Sequence, residues 1–415
     1  MRRIIGGFLK FTVIIISINF VFISQVYPQD KTPKSNQKDL KDYIKDLFNV
    51  KEEPKDSAQI KDYKKIRYSF LPGVSYSTST GFLIGFNLGM SKYYGDPKKT
   101  SPSAGTLSSN YTSKNQFNVK FKTDLYTSNN SWYIEGDWRF SITSQQTYGL
   151  GTATPTTNKQ IINYQQFRIF EKFSKRVAGN LYLGAAFYFD RYNKIKTEND
   201  EDAEINPNFH NEYNKIYNYD TLEYNNAGLG IQAEFDSRDN VINPYSGFFV
   251  SLKYNFYQKF FSAQSVWQGS HAEFRTYKSF GKVNKHVLAF WLYGDFVING
   301  NPTYLNLPAI GWDKYERSGR GYTVGRYRGR NLTYGEFEYR FPITSNGFLG
   351  GTAFVNVTSA SDPLTEEELF DNIKPAYGFG LRFKFDKNSR TNICVDYGKA
   401  SDGSYSIVFN LGEVF

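Results

Sequence analysis

The sequence predicts an all-β chain, a transmembrane antiparallel β-barrel of sixteen strands with a short helical segment ahead of it. Three observations carry this. Aromatic residues make up 18% of the chain, with 33 Tyr and 37 Phe. Its mean hydropathy is nevertheless −0.54, which a bundle of lipid-spanning helices could not show. From residue 66 onward, apolar residues recur with period two in runs about ten residues long. Strands of soluble sandwiches are usually shorter, whereas a tilted strand crossing a bilayer needs about 9–11 residues. Finally, no segment after the N-terminus is continuously apolar over the length of a spanning helix.

The first residues read as an export signal, residues 1–28. Arg2, Arg3 and Lys10 form a basic start, and Phe11–Ile23 is an apolar run of signal-core length. An N-terminal anchor helix is the other reading of this run. Cleavage is expected within Ser24–Asp30. Residues 29–65 form a charged periplasmic linker. In it Leu40, Tyr43, Ile44, Leu47 and Phe48 follow helical spacing. This predicts one short amphipathic helix over 37–52, able to plug the lumen or to dock a periplasmic protein. The linker is too short for a folded domain of its own.

The barrel proper is residues 66–415. Fifteen strands are expected near 66–77, 81–94, 116–126, 131–143, 162–174, 178–192, 226–237, 246–259, 267–280, 286–299, 331–343, 348–357, 376–386, 390–399 and 404–415. Alternation is clear in Trp132–Ile142. Trp132, Ile134, Trp138, Phe140 and Ile142 share one face, against Tyr133, Glu135, Asp137, Arg139 and Ser141. Phe248, Val250, Leu252, Tyr254 and Phe256 oppose Phe249, Ser251, Lys253 and Asn255 in the same way. An apolar face toward lipid and a polar face toward a lumen satisfies both environments, and closure satisfies the backbone. Short turns at Lys387–Ser389, Thr344–Gly347, Gly281–Lys285, Arg238–Tyr245, Lys175–Val177 and Thr127–Asn130 alternate with longer connections. That alternation demands a sixteenth strand, best placed at Ala104–Ser113. The largest loops, 193–225 and 300–330, should face outward.

One stretch stands apart. "SGRGYTVGRYRGRN", Ser318–Asn331, is too glycine-rich for a helix and would weaken a strand. Net charge is +10, spread evenly along the chain, and no nucleic-acid footprint is gathered on one face. A phosphate loop needs a G-K-[ST] ending that this stretch lacks. Two readings remain, a flexible basic loop solvated outside the cell and a loop folded back into the lumen; the E-x-E-x-R strand that follows favours the second, with Arg326, Arg328 and Arg330 lining the lumen or its rim.

Three landmarks then line up. Asp236, Arg238, Asp239, Pro244 and Gly247 form a D-x-R-D…P-x-x-G turn. Arg320, Gly321 and Tyr322 precede the strand Glu336–Pro342, "EFEYRFP". The last strand reads "VFNLGEVF", with Phe409, Leu411 and Phe415. Together these resemble the BamA/TamA outer-membrane barrel family, also called bacterial surface antigen proteins, across residues 66–415. The resemblance implies that Arg320 locks the loop onto inward Glu338, beside Arg340. A second acid is expected on the next strand, where this chain has Asn356. It also implies that Phe409, Leu411 and Phe415 form the signal by which barrel-assembly machinery inserts the chain into outer-membrane lipid. Family members that assemble barrels carry periplasmic POTRA domains, and residues 31–65 are too few for one.

No cofactor, metal or catalytic set is expected. There is no G-x-S-x-G elbow and no H-E-x-x-H motif, and His210, His271 and His286 share no metal spacing. The acidic run Glu198–Glu204 lacks EF-hand order and reads as a solvated loop. Inward Glu135, Asp137, Asp295 and Asp396 are expected to form charge ladders with residues such as Arg139 and Arg382. The resemblance implies non-enzymatic insertion or translocation of protein or lipid. It would work through a weak seam between first and last strands, because Pro72 and Gly73 interrupt the first strand. A passive or substrate-specific channel and an outer-membrane hydrolase remain the alternatives.

Overall fold

Alternation fixes which side chains meet lipid, and the sheet follows from it. The structure, a computed structural model, describes residues 37–48, 65–77, 81–199, 208–281 and 285–415. The signal segment lies outside these residues. The strands are β1 (Arg67–Ser77), β2 (Gly81–Lys92), β3 (Ser103–Thr112), β4 (Phe117–Tyr126), β5 (Trp132–Thr147), β6 (Gln160–Ala178), β7 (Leu181–Asn199) and β8 (Tyr224–Asp236). They continue as β9 (Ser246–Gln258), β10 (Trp267–Phe280), β11 (His286–Gly300), β12 (Asn331–Pro342), β13 (Leu349–Ala360), β14 (Lys374–Asp386), β15 (Thr391–Ala400) and β16 (Tyr405–Leu411). All sixteen form one sheet in chain order. β3 fills the weak 104–113 pattern that turn parity required.

In β9, Phe248, Leu252 and Phe256 are exposed while Ser251 and Tyr257 are buried. In β5, Trp138 and Phe140 are exposed while Glu135 and Ser141 are buried. Such rings belong in an apolar belt against hydrocarbon. The β4–β5 register pairs Lys120 with Arg139, Lys122 with Asp137 and Asp124 with Glu135. A slip of one residue would turn the three charged residues of the slipped strand toward lipid, so register is strongly held.

Among the described residues, β1 and β16 are the two ends of the sheet, and no ladder joins them. The expected interruption at Pro72 and Gly73 is not seen toward β2. Pro72 faces Phe86 and Gly73 faces Gly85 in unbroken register. A proline is tolerated there because β1 is an edge strand.

Other boundaries moved. β6 and β7 are 19 residues each, well past one membrane crossing, because their outer ends carry a tyrosine cluster. Tyr164, Tyr192, Tyr213, Tyr224 and Tyr304 pack together there. Tyr213 comes from α2 (Phe209–Ile216), a helix not anticipated within the 193–225 loop, whose N-cap Asn208 accepts from Asn211 N. Most of the acidic run near 200 lies outside the described residues. β16 stops at Leu411 rather than at 415. Gly412 adopts φ +86°, a left-handed turn suited to glycine, and Glu413, Val414 and Phe415 are buried.

α1 (Leu40–Phe48) is shorter than the expected 37–52, and positions 49–52 are outside the described residues. It lies against the turns that follow β12 and β14 rather than in the lumen. The Tyr43 ring is 4.4 Å from that of Phe348, Lys38 N donates to Asn346 O at 3.0 Å, and Lys387 Nζ meets Asp42 at 2.7 Å.

Candidate functional site: a braced loop in the barrel lumen

The chain between β11 and β12, residues 301–330, folds inward and bonds to itself. Ile310 N donates to Tyr327 O and Gly325 N to Ile310 O, each at 2.9 Å. Asp313 caps the turn, accepting from Arg317 N at 3.0 Å and Ser318 N at 2.7 Å.

Arg320 is the deep anchor. It is 2% exposed and has three acidic partners. Its Nη2 donates to Glu336 and Glu338, and its Nη1 reaches Asp396 Oδ2 at 2.9 Å. The guanidinium also lies 3.6 Å from the centroid of the Phe354 ring. A buried guanidinium is tolerated only when its donors are matched this fully. Glu338 was expected to be the bidentate partner. Instead Glu336 takes two of the contacts, from Nη2 and from Nε at 3.4 Å, and Glu338 takes one while accepting from Arg340 Nε at 2.6 Å. Asn356 does not accept from the guanidinium. It donates its Nδ2 to Arg320 O at 3.0 Å and so orients the loop backbone. The acid missing from β13 is supplied from β15 by Asp396.

Gly321 and Tyr322 tie the same loop to the last strands. Gly321 N donates to Ser406 Oγ on β16 at 2.8 Å, and Tyr322 Oη donates to Pro375 O at 2.7 Å. Arg326 Nε pairs with Asp402 at 2.8 Å. Arg328, fully buried, donates to Tyr304 O and Leu307 O at 2.9 and 3.1 Å. Arg330 Nη1 donates to Asn301 Oδ1 at 2.7 Å.

The opposite end of the loop crosses to the early strands. Lys314 Nζ meets Asp124 at 3.1 Å and Glu135 at 2.9 Å. Glu316 meets Lys120 at 2.8 Å and Arg139 at 3.0 Å. The loop is thus a brace across the lumen between β4–β5 and β12–β16. Lys314 and Glu316 are partly exposed, so this end is the weaker one. Replacing both by alanine should cost only about 1 kcal/mol of stability yet raise steady ion conductance in planar bilayers. Conductance equal to that of the unaltered barrel would remove the brace from consideration.

No family model and no curated protein matches this sequence. Solved structures do match in fold. BamA from Haemophilus ducreyi lacking POTRA domains 1–3 superposes with a TM-score of 0.55 at 12% identity, over 83% of this chain and 69% of that one. CdiB from Acinetobacter baumannii gives 0.51 at 14% identity, over 84% of this chain and 58% of that one. The fold is that of a BamA-like outer-membrane β-barrel.

In this BamA-like barrel the turn motif is a cross-base clasp. Arg238 grips Asp236 through Nε at 2.9 Å and Nη2 at 2.7 Å. Asp239 accepts from Tyr245 N at 2.8 Å and pairs with Arg390 at 2.6 Å, joining the β8–β9 turn to the β14–β15 turn. Pro244 is buried within that turn. A Cβ on Gly247, whose φ is +95°, would meet Ser237 O at 2.3 Å. Phe409 and Leu411 stay on β16, while Phe415 leaves it for the lumen, 5.3 Å from Trp291.

The inward charges do form ladders: Asp137 with Arg139 at 2.5 Å, and Asp396 with Arg382 at 2.5 Å. Among the described residues no group of metal-ligating side chains occurs. His271 is held by Asp295 at 2.8 Å and His286 by Tyr339 Oη at 2.7 Å. Sequence reasoning placed Glu336 and Asp396 in the lumen but assigned neither to Arg320. The signal it passed over was the small inward series Ala376, Gly378 and Gly380 on β14, which leaves room for Asp396 to reach across.

The tyrosine-lined cap around α2 is expected to loosen in acid. His210 on α2 is fully buried, and burial, with Arg328 nearby, pushes its pKa down to about 4. Asn214 Nδ2 donates to its Nε2 at 3.2 Å, which requires a neutral ring. In the opened cap the ring titrates near its ordinary value of about 6.5. The opened state therefore binds more protons between these values, and closure is fully stable above about pH 6.5 and weakens as pH falls toward 4. Corrected for the intrinsic base-catalysed rate, the protection factors of residues 209–216 should fall between pH 7 and pH 5, and His210→Gln should flatten that dependence. Protection factors that do not change with pH would refute it.

Proposed function

We propose that this barrel inserts or translocates polypeptide or lipid at the bacterial outer membrane by parting β1 from β16. The observation that carries the reading is that, among the described residues, these strands end the sheet with no ladder between them, while a loop inside the lumen ties β16 and its neighbours to β4–β5 across it. Opening such a seam costs few backbone hydrogen bonds, and the brace keeps the lumen plugged meanwhile. Surrounding lipid is the first partner, and the chain's own insertion requires barrel-assembly machinery. A low-resistance channel is disfavoured by a loop that spans the lumen at both ends.

The test places cysteines along Arg67–Ser77 and Tyr405–Leu411 in a Cys394→Ser background. The purified barrel in liposomes is then assayed for accelerating the folding of another outer-membrane barrel. Oxidation should abolish acceleration and reductant should restore it. Full acceleration with the seam locked would overturn the proposal, as would steady conductance without any acceleration.

A further inference from the structure

A groove of about 440 Å³ crosses the outer half of the lipid-facing wall on β9–β13, away from the seam. Strand register builds it. Ala272 on β10 stands opposite Gly294 on β11, Gly294 opposite Thr333 on β12, and Thr333 opposite Ser359 on β13. These four short side chains make the floor. One row nearer the periplasm, Phe274, Leu292 and Val357 are exposed and stand as a wall. Phe296 is the opposite wall, and its ring leans toward Gly294, where a Cβ would stand 2.4 Å from it.

The outer end is shaped by the loop that follows β13. Phe370 N donates to Ser359 Oγ at 2.9 Å. That bond holds a bulky residue at φ +76°, a sparsely populated region for such a side chain, and leaves its ring exposed at the groove with Ile373. Ser359 is itself 2% exposed. Its Oγ accepts from Phe370, and among the described residues no acceptor takes its proton. A buried hydroxyl at the mouth of an apolar groove therefore has a donor to offer.

Exposed Leu252, Phe274 and Leu292 set the groove within the apolar belt, continuous with the barrel's lipid interface, so hydrocarbon covers it. Between apolar surfaces inside a bilayer, packing rather than water release decides what stays. A chain lying in the groove meets protein on three sides, whereas a chain on the convex wall meets it on one, and dispersion favours the first. We infer that the groove is a fixed site for one straight acyl chain of an outer-leaflet lipid, whose ester carbonyl accepts from Ser359 at the outer end. This goes beyond insertion or translocation and does not depend on the seam.

The experiment uses the full chain folded into dimyristoylphosphatidylcholine liposomes that carry a diazirine-bearing analogue of the same lipid. After illumination, the crosslinked peptides are mapped by mass spectrometry, and heat-modifiable gel migration shows that each variant has folded. Label should gather on β10–β12 at least about fivefold over the equally lipid-facing β2–β4 wall. Ala272→Leu, which fills the floor, and Phe370→Ala, which removes the overhang, should each erase the excess. Gly105→Leu, on the lipid face of β3 beside Met90 and Phe121, should leave it intact. An ether-linked analogue lacks the carbonyl and should show less excess, and Ser359→Ala should make the two lipids alike. Label spread evenly round the belt overturns the inference, as does an excess that survives Ala272→Leu, or equal labelling of the unaltered chain by ester and ether lipids. Loss of label to a competing transmembrane peptide but not to unlabelled lipid also overturns it, because the groove would then seat a protein.

Discussion

Arg320→Ala is expected to destabilise the barrel by about 3–5 kcal/mol, the usual cost of stranding buried partners of a removed charge. Three carboxylates converge on this guanidinium, and the neighbouring cations cannot replace it. Arg340 already serves Glu338 and Phe415 O. Arg382 already serves Asp396 and Glu413. Without Arg320, Glu336 keeps, among the described residues, only the Tyr334 hydroxyl. Arg320→Lys should recover part of the loss, because charge returns but the planar fork that contacts three acids does not. Glu336→Gln should cost less than Arg320→Ala, since it removes one acid from an acid-rich cluster. Urea unfolding in micelles, followed by tryptophan fluorescence, ranks the three. A loss below about 1 kcal/mol for Arg320→Ala, the range of exposed ion pairs, would mean the loop is not anchored there.

Much of this architecture was legible because barrel strands obey a period-two rule under two opposed solvents. Trp138 and Arg139 take opposite faces of one strand, the length of such runs favours a bilayer crossing over a sandwich, and turn parity located β3 where alternation alone was faint. The rule also put Glu336, Glu338 and Arg340 on the lumen side. What it could not supply was the partner list of Arg320, because Asp396 lies 76 residues along the chain and reaches the loop across strand β14. That reach depends on Gly380, where a Cβ would stand 1.8 Å from Asp396 Oδ1. α2 was missed because an eight-residue helix carries little periodic signal, and its stability comes from Tyr213 packing 5.7 Å from Tyr304 in a distant loop. The inward turn at Gly412 was hidden by the apparent continuity of "VFNLGEVF". A single glycine there can either continue a strand or break it, and contacts with Arg317, Arg340 and Arg382 decide.

Gly398→Ala is the second change with a large expected effect, and it tests the loop seat without removing a charge. Gly398 lies on β15 opposite Gly378, directly beneath the loop. A Cβ at this position would stand 2.7 Å from Gly321 N and 2.9 Å from the Arg320 carbonyl carbon. Both are backbone atoms and cannot rotate aside. The loop cannot simply slide along the wall, because Gly321 holds φ +105° and its own Cβ position is 3.0 Å from Ala376 Cβ. The clash must therefore lift Arg320 away from its acids. Overpacking of this kind costs about 1–3 kcal/mol, and the lost ion pairs add to it. Gly335→Ala is the matched control. Its Cβ would point to the lipid face and meet Leu292 and Val357 at 3.7 Å, so stability should change by no more than about 0.5 kcal/mol. A cysteine at Val324, read by maleimide labelling from outside, should react faster in Gly398→Ala than in Gly335→Ala. If both label alike and unfold alike, the glycine pair is not the seat of the loop.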